Sequence, residues 1–499
     1  MTSPQAGALD SGAVPELPAR LRLIATIGVV LSLALTSIDV SVVSTAMPKI
    51  VDDLGGLSLY AWVGVSYGVA SAVIVPIAGK LGDMFGRKPF LLVGLVGFMI
   101  TSWLCGAASS MTELVILRGA QGLFAGIQMA SIFTVVADIF TAERRTQMQG
   151  ILFSVAGLSM VIGPPLGGLI TDQWGWRWVF YINVPILVLA IAAILVAVPL
   201  VRATAKWRDI DYLGALTLIA GLVPILIGLA LAGDGHAWGS PEVIVPIVAG
   251  VVVLVLFFLV ERRAAHPIVP FGLLRTNQFA VMAMVAFFSA FAMMGTVFYV
   301  PLLYQGVQGV SAAFSGSLVI PLTLALAIVP PFAGKALTMI ARYRILAVIA
   351  FALMVAGLLM LSRVGADSGS GMTIVAMILI GVGIGITFPM ATSVVQSAAP
   401  PELMGVATSQ VQFWRMMAGP VGVATLGAVL SGALGSVMGS TAAVPTADLA
   451  DALHRVFLVA AIVVALGLVA SLFLKEVPLR AMPSMGRRKG KEPAQPSKA

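Results

Sequence analysis

The stretch GKLGDMFGRKPFL at residues 79–91 decides how this chain is organised, because its pattern returns later in the sequence. Residues 334–346 read GKALTMIARYRIL and repeat the first glycine, the first lysine and an arginine at an offset of 255. A second match links Gly163-Pro164 to Gly419-Pro420 at an offset of 256. Two matches at nearly the same offset indicate a duplicated unit.

The composition places this duplicated unit in a membrane. Of the 499 residues, 59% are hydrophobic and only 10% are charged, and the mean hydropathy is +1.05. An average soluble domain has about 25% charged residues. Apolar runs of about 20 residues, long enough to cross the hydrocarbon core of a bilayer, recur along almost the whole chain. We therefore expect an all-α polytopic membrane protein with no sizeable soluble domain.

Charged clusters and turns rich in glycine and proline divide the chain into fourteen candidate transmembrane helices. They begin near residues 23, 58, 90, 112, 148, 178, 212, 242, 279, 312, 345, 371, 405 and 453. An even number of spans puts both termini on one side. If that side is the cytoplasm, it carries 23 of the 29 lysines and arginines, in agreement with the positive-inside rule. We expect a multi-pass protein of the cytoplasmic (inner) membrane with both termini cytoplasmic.

The repeat does not divide the fourteen helices into halves of seven. The stretch after span 2 matches the stretch after span 10, so each repeat has six helices, and spans 7 and 8 at about 212–261 are inserted between them. We expect a cytoplasmic N-terminal tail at 1–22, an N-terminal six-helix bundle at 23–200, two inserted helices with their linkers at 201–278, a C-terminal six-helix bundle at 279–475 and a basic disordered tail at 476–499.

Several motifs carry a resemblance to a known family. GKLGDMFGRKPFL resembles the loop motif between helices 2 and 3 of the major facilitator superfamily, and LVILRGAQGLFAGI at 114–127 resembles its fourth-helix motif. GLSMVIGPPLGGLI at 157–170 is similar to the fifth-helix motif common in drug:proton antiporters. WGWRWVFYINVP at 174–185, IDVSVVSTAMP at 38–48 and the inserted helix pair narrow the resemblance to the fourteen-helix drug:proton antiporter family of multidrug efflux transporters. The resemblance implies the major facilitator fold.

This resemblance also implies roles for particular residues. The loop motif serves as a cytoplasmic gate in the family, which assigns that role to Gly79, Asp83, Gly86, Arg87 and Lys88. Topology-setting charge alone is the alternative. The antiporter motif of helix 5 corresponds to Gly157, Gly163, Pro164, Gly167 and Gly168. We expect its glycines at 163, 167 and 168 to form a flat face for close helix packing, and a simple packing kink is the alternative.

The chain departs from the family pattern at three places. Ser41, Ser44 and Met47 stand where the first helix of the family usually has Thr, Asn and Leu. In the second repeat Thr338 stands at the place of Asp83, so we expect any latch to be one-sided. Spans 9–14 contain no carboxylate of the kind that some members carry in their second half.

Two charges fall inside spans at the same expected depth. Counted from an outer helix end near Ala46, Asp39 lies about 10 Å deep, and counted from Thr112, Arg118 lies about 9 Å deep. An arginine inside a span is costly unless it faces a partner or water, so we expect Arg118 and Asp39 to pair. A pair that separates during transport would change the proton affinity of the carboxylate and couple protons to transport. A permanent structural ion pair is the alternative.

The features together predict a proton-coupled antiporter, not an enzyme, that exports hydrophobic or cationic small molecules by alternating access. Seven residues are candidates for the lining of the substrate cavity: Gln121, Met129, Phe133, Met294, Gln412, Trp414 and Arg415. Core or lipid-facing positions are the alternative for each of them. The main alternative is a dedicated exporter of one endogenous metabolite, antibiotic, siderophore or lipid. An uptake symporter is disfavoured by the fifth-helix motif.

The sequence gives no sign of other ligands. It has no nucleotide-binding GxxxxGK[ST] run, and its three histidines have no metal-ligand spacing. We expect no cofactor, metal, nucleotide or nucleic-acid partner, and a buried structural role for the single cysteine, Cys105. The expected partners are the small-molecule substrate, protons and the lipid bilayer, with a monomer as the functional unit.

Overall fold

The computed structural model describes residues 18–56, 59–200, 209–233, 236, 238–264, 267–269, 271–339, 342–365, 368–434 and 445–476. The expected tails at 1–22 and 476–499 lie almost wholly outside these residues. The regular elements of the described part are helical. In chain order they are α1 (Ala19–Leu54), α2 (Tyr60–Phe85), α3 (Arg87–Ala107), α4 (Met111–Ile139), α5 (Ala142–Trp174), α6 (Trp178–Tyr181), α7 (Asn183–Ala197), α8 (Tyr212–Gly233), α9 (Pro241–Glu261), α10 (Phe271–Leu274), α11 (Asn277–Val307), α12 (Ala312–Ser317), α13 (Ile320–Met339), α14 (Tyr343–Leu361), α15 (Ser370–Ala398), a 3-10 turn (Pro401–Leu403), α16 (Met404–Leu434) and α17 (Thr446–Leu472).

Within the described residues, fourteen helical stretches are long and apolar enough to cross a membrane, which confirms the expected number of spans. α6 and α7 together form one span, Trp178–Ala197, and α12 continues towards α13 in another, Phe314–Leu337. Long apolar runs become helices in lipid because every backbone N–H and C=O group must be hydrogen-bonded within the segment.

α1 is longer than its sequence suggested. It continues through Pro48 to Leu54, and the depth count from Ala46 was therefore wrong for this helix. The last turn is held by Asp53, which pairs with Arg177 at 2.6 Å. The Trp176 indole N–H also donates to this carboxylate at 3.0 Å. These contacts fix a segment that, from its proline and charges alone, has the composition of a loop.

The helices form two groups and a pair. α1–α7 pack among themselves, as do α11–α17, and α8 packs along α9. α8 also contacts α2 and α16, so the inserted pair lies beside the seam between the two bundles. The six-plus-two-plus-six arrangement agrees with an all-helical major facilitator fold, while the residue boundaries of the domains stay a prediction. The end of the bundles that carries residues 79–91, 334–339 and 342–346 is called the basic end below.

The bundles meet at the basic end through close glycine contacts. α2 packs on α16 and α13 packs on α5. A Cβ at Gly79 would lie 2.8 Å from the carbonyl oxygen of Gly405, and a Cβ at the repeat-related Gly334 would lie 2.8 Å from that of Thr146. The glycines that repeat at an offset of 255 thus occupy equivalent places in two helix pairs, each of which joins the two bundles.

Candidate functional site

Asp83, in the last turn of α2, binds the first turn of α16 across the seam. Its Oδ1 accepts the backbone N–H of Gly405 and its Oδ2 accepts that of Val406, both at 2.9 Å. The N–H groups of a first helical turn have no partner within the helix and carry its positive dipole end, so they favour a carboxylate. Arg87 donates to the same carboxylate at 3.1 Å and also pairs with Asp138 of α4. Asp83 is therefore a charge-assisted link between the bundles.

The other charged residue of the loop motif has a different role. Lys88 donates from Nζ to the backbone carbonyls of Leu195 at 2.8 Å and Val198 at 2.6 Å. These carbonyls lie at the C-terminal end of α7, where the last acceptors of a helix are unpaired. Lys88 joins two helices of one bundle, and its role in a cytoplasmic gate stays a prediction. Gly86, with φ of +99°, ends α2 and allows the turn into α3.

A polar cluster that the sequence analysis missed lies deeper in the same seam. Gln149 of α5 donates to Gln396 of α15 at 3.3 Å. Gln396 donates in turn to the carbonyl of Phe133 in α4 and to Thr408 of α16, each at 3.0 Å. The cluster joins four helices from both bundles. The only sign of this cluster in the sequence is that two glutamines, Gln149 and Gln396, stand within apolar runs.

The antiporter motif of α5 divides between two neighbours. Added Cβ atoms at Gly163 and Gly167 would clash with Ser41 and Thr45 of α1, as the expected flat face requires. Gly157 instead approaches the backbone of Leu326 in α13, in the other bundle. No atom lies within 4 Å of a Cβ at Gly168, so its expected packing role was wrong, because α5 turns this position away from α1. The helix stays continuous through Pro164 and Pro165.

The expected pair of intramembrane charges is present in the structure. Arg118 of α4 donates from Nη1 to Oδ2 of Asp39 in α1 at 2.6 Å. Asp39 is 1% exposed and Arg118 is 2% exposed. The guanidinium also lies over the Tyr67 ring of α2 at 4.3 Å. The pair is sealed from water by its neighbours in this conformation.

Amide groups complete the surroundings of the Asp39 carboxylate. Its Oδ1 accepts Nδ2 of Asn183 at 3.1 Å and Nε2 of Gln121 at 3.4 Å, and Gln121 also accepts from Arg118 at 2.6 Å. Gln121 is fully buried in this network, so its expected position in the substrate cavity was wrong. Asn183 was missed, although it was visible as a polar residue inside the apolar run of span 6. It also donates to Ser102 at 3.0 Å.

A cavity of about 120 Å³ lies between the bundles. It contains four of the predicted cavity residues: Met129, Phe133, Gln412 and Arg415. Met294 and Trp414 do not line it, because the helices that carry them are turned so that Met293, Met416 and Arg415 face the cavity instead. Apart from Gln412 and Arg415, the lining residues are apolar or glycine, and none is acidic.

Arg415 is held in this cavity without a carboxylate. It donates to Gln412 Oε1 and, at 3.2 Å, to the carbonyl of Phe388. Its guanidinium carbon lies 4.2 Å from the ring centre of Phe388 and 4.7 Å from that of Phe153. Phe153 belongs to α5 and Phe388 to α15, so one ring from each bundle flanks the cation.

Two carboxylates meet at the base of the inserted helices. Asp211 Oδ2 and Glu261 Oε2 both crowd the position that a Cβ at Gly214 would take. Glu261 is 2% exposed and its Oε1 accepts the backbone N–H of Val269 at 2.6 Å. Lys80 of the loop motif is near enough to interact electrostatically with Glu261. Within the described residues, no group of three or more potential metal ligands occurs, and Cys105 is buried.

Comparison with known proteins gives consistent matches. The sequence profile of the Major Facilitator Superfamily matches residues 29–423. The chain is 36% identical over 411 residues to the multidrug transporter protein MdtP of Bacillus subtilis, with 82% of this chain and 76% of that protein covered. It is 31% identical over 412 residues to the tetracenomycin C resistance and export protein of Streptomyces glaucescens, with 82% and 76% covered. The crystal structure of the human organic anion transporter MFSD10 (TETRAN) has the same fold, with a TM-score of 0.63 at 16% identity over 92% of this chain and 99% of that chain.

Proposed function

Because this chain belongs to the major facilitator superfamily and is related to drug and antibiotic efflux transporters, we propose that it is a proton-coupled antiporter that exports hydrophobic small molecules by alternating access. It is a multi-pass membrane transporter of small molecules and not an enzyme. The observation that carries the proposal is the buried pair of Asp39 and Arg118, joined at 2.6 Å. Because an ionisable pair buried inside membrane spans costs stability, it marks a candidate functional site.

Proton coupling needs a change inside the N-terminal bundle. Asp39 on α1 and Arg118 on α4 belong to the same bundle, so a rigid rotation of one bundle against the other leaves their contact intact. A helix that reaches both the pair and the seam can transmit the change instead. α2 is that helix in our proposal, because it carries Tyr67 against Arg118 and Asp83 against α16.

The proposed step begins at the seam. Tyr67 and Asp83 lie about 24 Å apart along α2, at 1.5 Å per residue. When the basic end opens, Asp83 loses the N–H groups of α16, α2 tilts, and Tyr67 moves off the Arg118 guanidinium. Water then reaches Asp39, which exchanges a proton. Substrate leaves the cavity on the other side of the membrane in the same cycle.

The composition of the cavity supports hydrophobic substrates. Methionine and phenylalanine side chains dominate its lining, and such flexible or flat apolar groups accept varied shapes. A cationic substrate was also expected, but the cavity lining contains no acidic residue that could bind one. The proposal is therefore restricted to hydrophobic molecules.

We further propose that the basic end faces the cytoplasm of the cell that carries this protein in its plasma membrane. The distribution of lysine and arginine supports this orientation. The basic end is the closed end in this structure, so the conformation described would be one in which the cytoplasmic side is shut. A monomer contains both bundles and the cavity, and we propose it as the functional unit.

The test is proton-driven dye transport in everted membrane vesicles. We expect Asp39→Asn to abolish transport that depends on a proton gradient, while downhill dye exchange continues, because only the coupling ion site is lost. The double variant Asp39→Asn/Arg118→Gln separates coupling from structure. Proton-driven transport at the full rate in Asp39→Asn, or its restoration in the double variant, would show that the pair is only structural.

A dedicated exporter of one endogenous metabolite, antibiotic, siderophore or lipid is the second candidate. It is favoured by the similarity to a relative whose name describes resistance to, and export of, a single antibiotic. A panel of unrelated dyes distinguishes the two, because a dedicated exporter would move few of them. Comparing accumulation in everted and right-side-out vesicles tests export against uptake.

A further inference from the structure

The cavity between the bundles contains a positive charge, that of Arg415, which no carboxylate in the described part of the chain neutralises. Arginine stays protonated in proteins. Among the described residues, Arg118 has Asp39 as its ion-pair partner and Arg87 has Asp83 and Asp138, whereas Arg415 contacts only an amide oxygen, a carbonyl and two rings. Arg415 is partly buried among apolar side chains, and a cation in such a place is costly unless an anion joins it.

Unused hydrogen-bond donors lie beside this charge. Arg415 Nε and Gln412 Nε2 are both buried without a hydrogen-bond partner. Gln412 is 2% exposed, and its oxygen is already taken by Arg415. Both side chains line the cavity and the remaining lining is apolar or glycine. The polar part of the cavity therefore has donors to spare, and a ligand that supplies acceptors would satisfy them.

Aromatic rings shape the surroundings of the guanidinium. The ring centres of Phe153 and Phe388 lie 4.7 Å and 4.2 Å from the guanidinium carbon, and Nε is the nitrogen of the fork that has no hydrogen-bond partner. Carboxylate, sulfonate and phosphate groups bind the edge of a guanidinium with two hydrogen bonds. Because Phe153 belongs to the N-terminal bundle and Arg415 to the C-terminal bundle, separation of the bundles removes one ring and admits water to the guanidinium. Water weakens the attraction for an anion.

We infer that the substrates of this transporter are hydrophobic molecules that carry an anionic group, and that Arg415, assisted by Gln412, binds this group. The inference rests on the proposed function only in taking the bound molecule to be exported. Binding itself can be measured in the absence of transport. It replaces a cationic substrate class with an anionic one. The apolar lining takes the hydrophobic part, and the donor-rich corner selects the charge.

The test uses two fluorescent probes that differ by one charged group. 1-Anilinonaphthalene-8-sulfonate and N-phenyl-1-naphthylamine share an aromatic skeleton, and only the first carries a sulfonate. Their dissociation constants are measured with the purified full-length protein, and the signal that each probe gives with detergent micelles alone is subtracted. The variants are Arg415→Gln and Arg415→Lys, and Arg363→Gln is the matched control because it removes an arginine outside the cavity.

For Arg415→Gln we expect sulfonate binding to weaken about tenfold or more, as for loss of a hydrogen-bonded charge, with little change for the neutral probe. Arg415→Lys keeps the positive charge but lacks the planar guanidinium, so we expect the affinity for the sulfonate probe to fall by an intermediate amount. Unchanged sulfonate binding in Arg415→Gln, or an equal loss for both probes, would overturn the inference. Gel filtration and thermal unfolding of each variant identify a folding defect, in which case Arg415→Lys decides.

The same probes separate this inference from the proposed function. If the sulfonate binds through Arg415 but no proton gradient drives its transport, the anion site stands and the antiport proposal fails. If the neutral probe is exported under a proton gradient and the sulfonate neither binds nor competes, antiport stands and the anion site fails.

Discussion

Asp83 and Gly405 are 322 positions apart in the chain and are joined by a hydrogen bond of 2.9 Å from the backbone N–H to the carboxylate. The second oxygen of Asp83 bonds the next N–H of the same helix at the same distance. A single carboxylate of one bundle thus caps a helix of the other. Because this contact can exist only while the two bundles meet at the basic end, we expect Asp83 to favour the closed state over an open one.

Asp83→Asn should shift the protein towards states that are open at the basic end. The amide keeps one acceptor oxygen but loses the charge and the second acceptor, at a cost of about 1–2 kcal/mol, or roughly five- to thirtyfold in the ratio of states. Labelling of Ala156→Cys in the cavity, with Cys105→Ala, by a membrane-impermeant thiol reagent at the basic end measures this ratio. Asp138→Asn is the control, because Asp138 pairs with Arg87 inside one bundle. An equal labelling rate in Asp83→Asn and the control would contradict the prediction.

Gly79→Ala should block closure of the basic end, whereas Gly82→Ala should not. A Cβ at Gly79 would overlap Ser409 and the Gly405 carbonyl across the seam, while no atom lies within 4 Å of a Cβ at Gly82. Both changes give the helix the same gain of about 0.5–1 kcal/mol, so only the contact between bundles differs. We expect proton-driven dye transport to fall about tenfold or more in Gly79→Ala and to stay near the parent rate in Gly82→Ala. Similar rates in both would exclude a close contact at this seam during transport.

Asn183→Ala should slow proton-driven transport. Asn183 donates to the Asp39 carboxylate at 3.1 Å, and alanine leaves this buried oxygen without the amide donor. Loss of a hydrogen bond to a charged group costs about 1.5–3 kcal/mol, so we expect the initial rate of proton-driven dye transport to fall about tenfold or more. Thr101→Ala is the control, because within the described residues its hydroxyl bonds carbonyls of its own helix. Equal initial rates in the two variants would argue against a role for the contact between Asn183 and Asp39 in transport.

Gly214→Ala should destabilise the base of the inserted helices. The added methyl would overlap the carboxylates of Asp211 and Glu261, and Glu261 is buried. Overpacking in a buried site costs about 1–3 kcal/mol, which thermal unfolding of the purified protein can detect. Gly239→Ala is the matched control, since no atom lies within 4 Å of its Cβ. Equal unfolding temperatures for the two variants would mean that the carboxylates can move aside freely.

The features that depend on composition and on the spacing of residues were predictable from the sequence. The fourteen spans follow from uncharged runs between basic clusters, and the division into two six-helix repeats follows from the repeat of Gly79 at Gly334, whereas the helix pairs that these glycines join were found only in the structure. The pairing of Asp39 with Arg118 was also predicted, because a buried charge needs a partner. This pairing was predicted from the depth of each residue below its helix end, and that count was wrong for α1 because the helix extends to Leu54. The pair still forms, because the packing of the helix surfaces determines the contact and the position of the helix ends does not.

Features that depend on the rotation of a helix about its axis were not predictable. Gln121 lies one turn from Arg118, and only the packed structure shows that it bonds Asp39 instead of lining the cavity. Gly168 directly follows Gly167 but, at about 100° per residue, faces another direction. Lys88 has a flexible stem, and its partner depends on which helix end lies within reach. The position of Asn183 was visible, but its acceptor was not.

The unpaired guanidinium of Arg415 has an electrical consequence for a cell. If each cycle exports one monovalent anion and admits one proton, both movements carry current in the same sense, and the cycle is electrogenic. An interior-negative potential of 100 mV contributes about 2.3 kcal/mol for each elementary charge moved, or about 4.6 kcal/mol for the two. A neutral substrate would draw on half of that driving force, so this one side chain would double the contribution of membrane voltage to the accumulation ratio of the cargo.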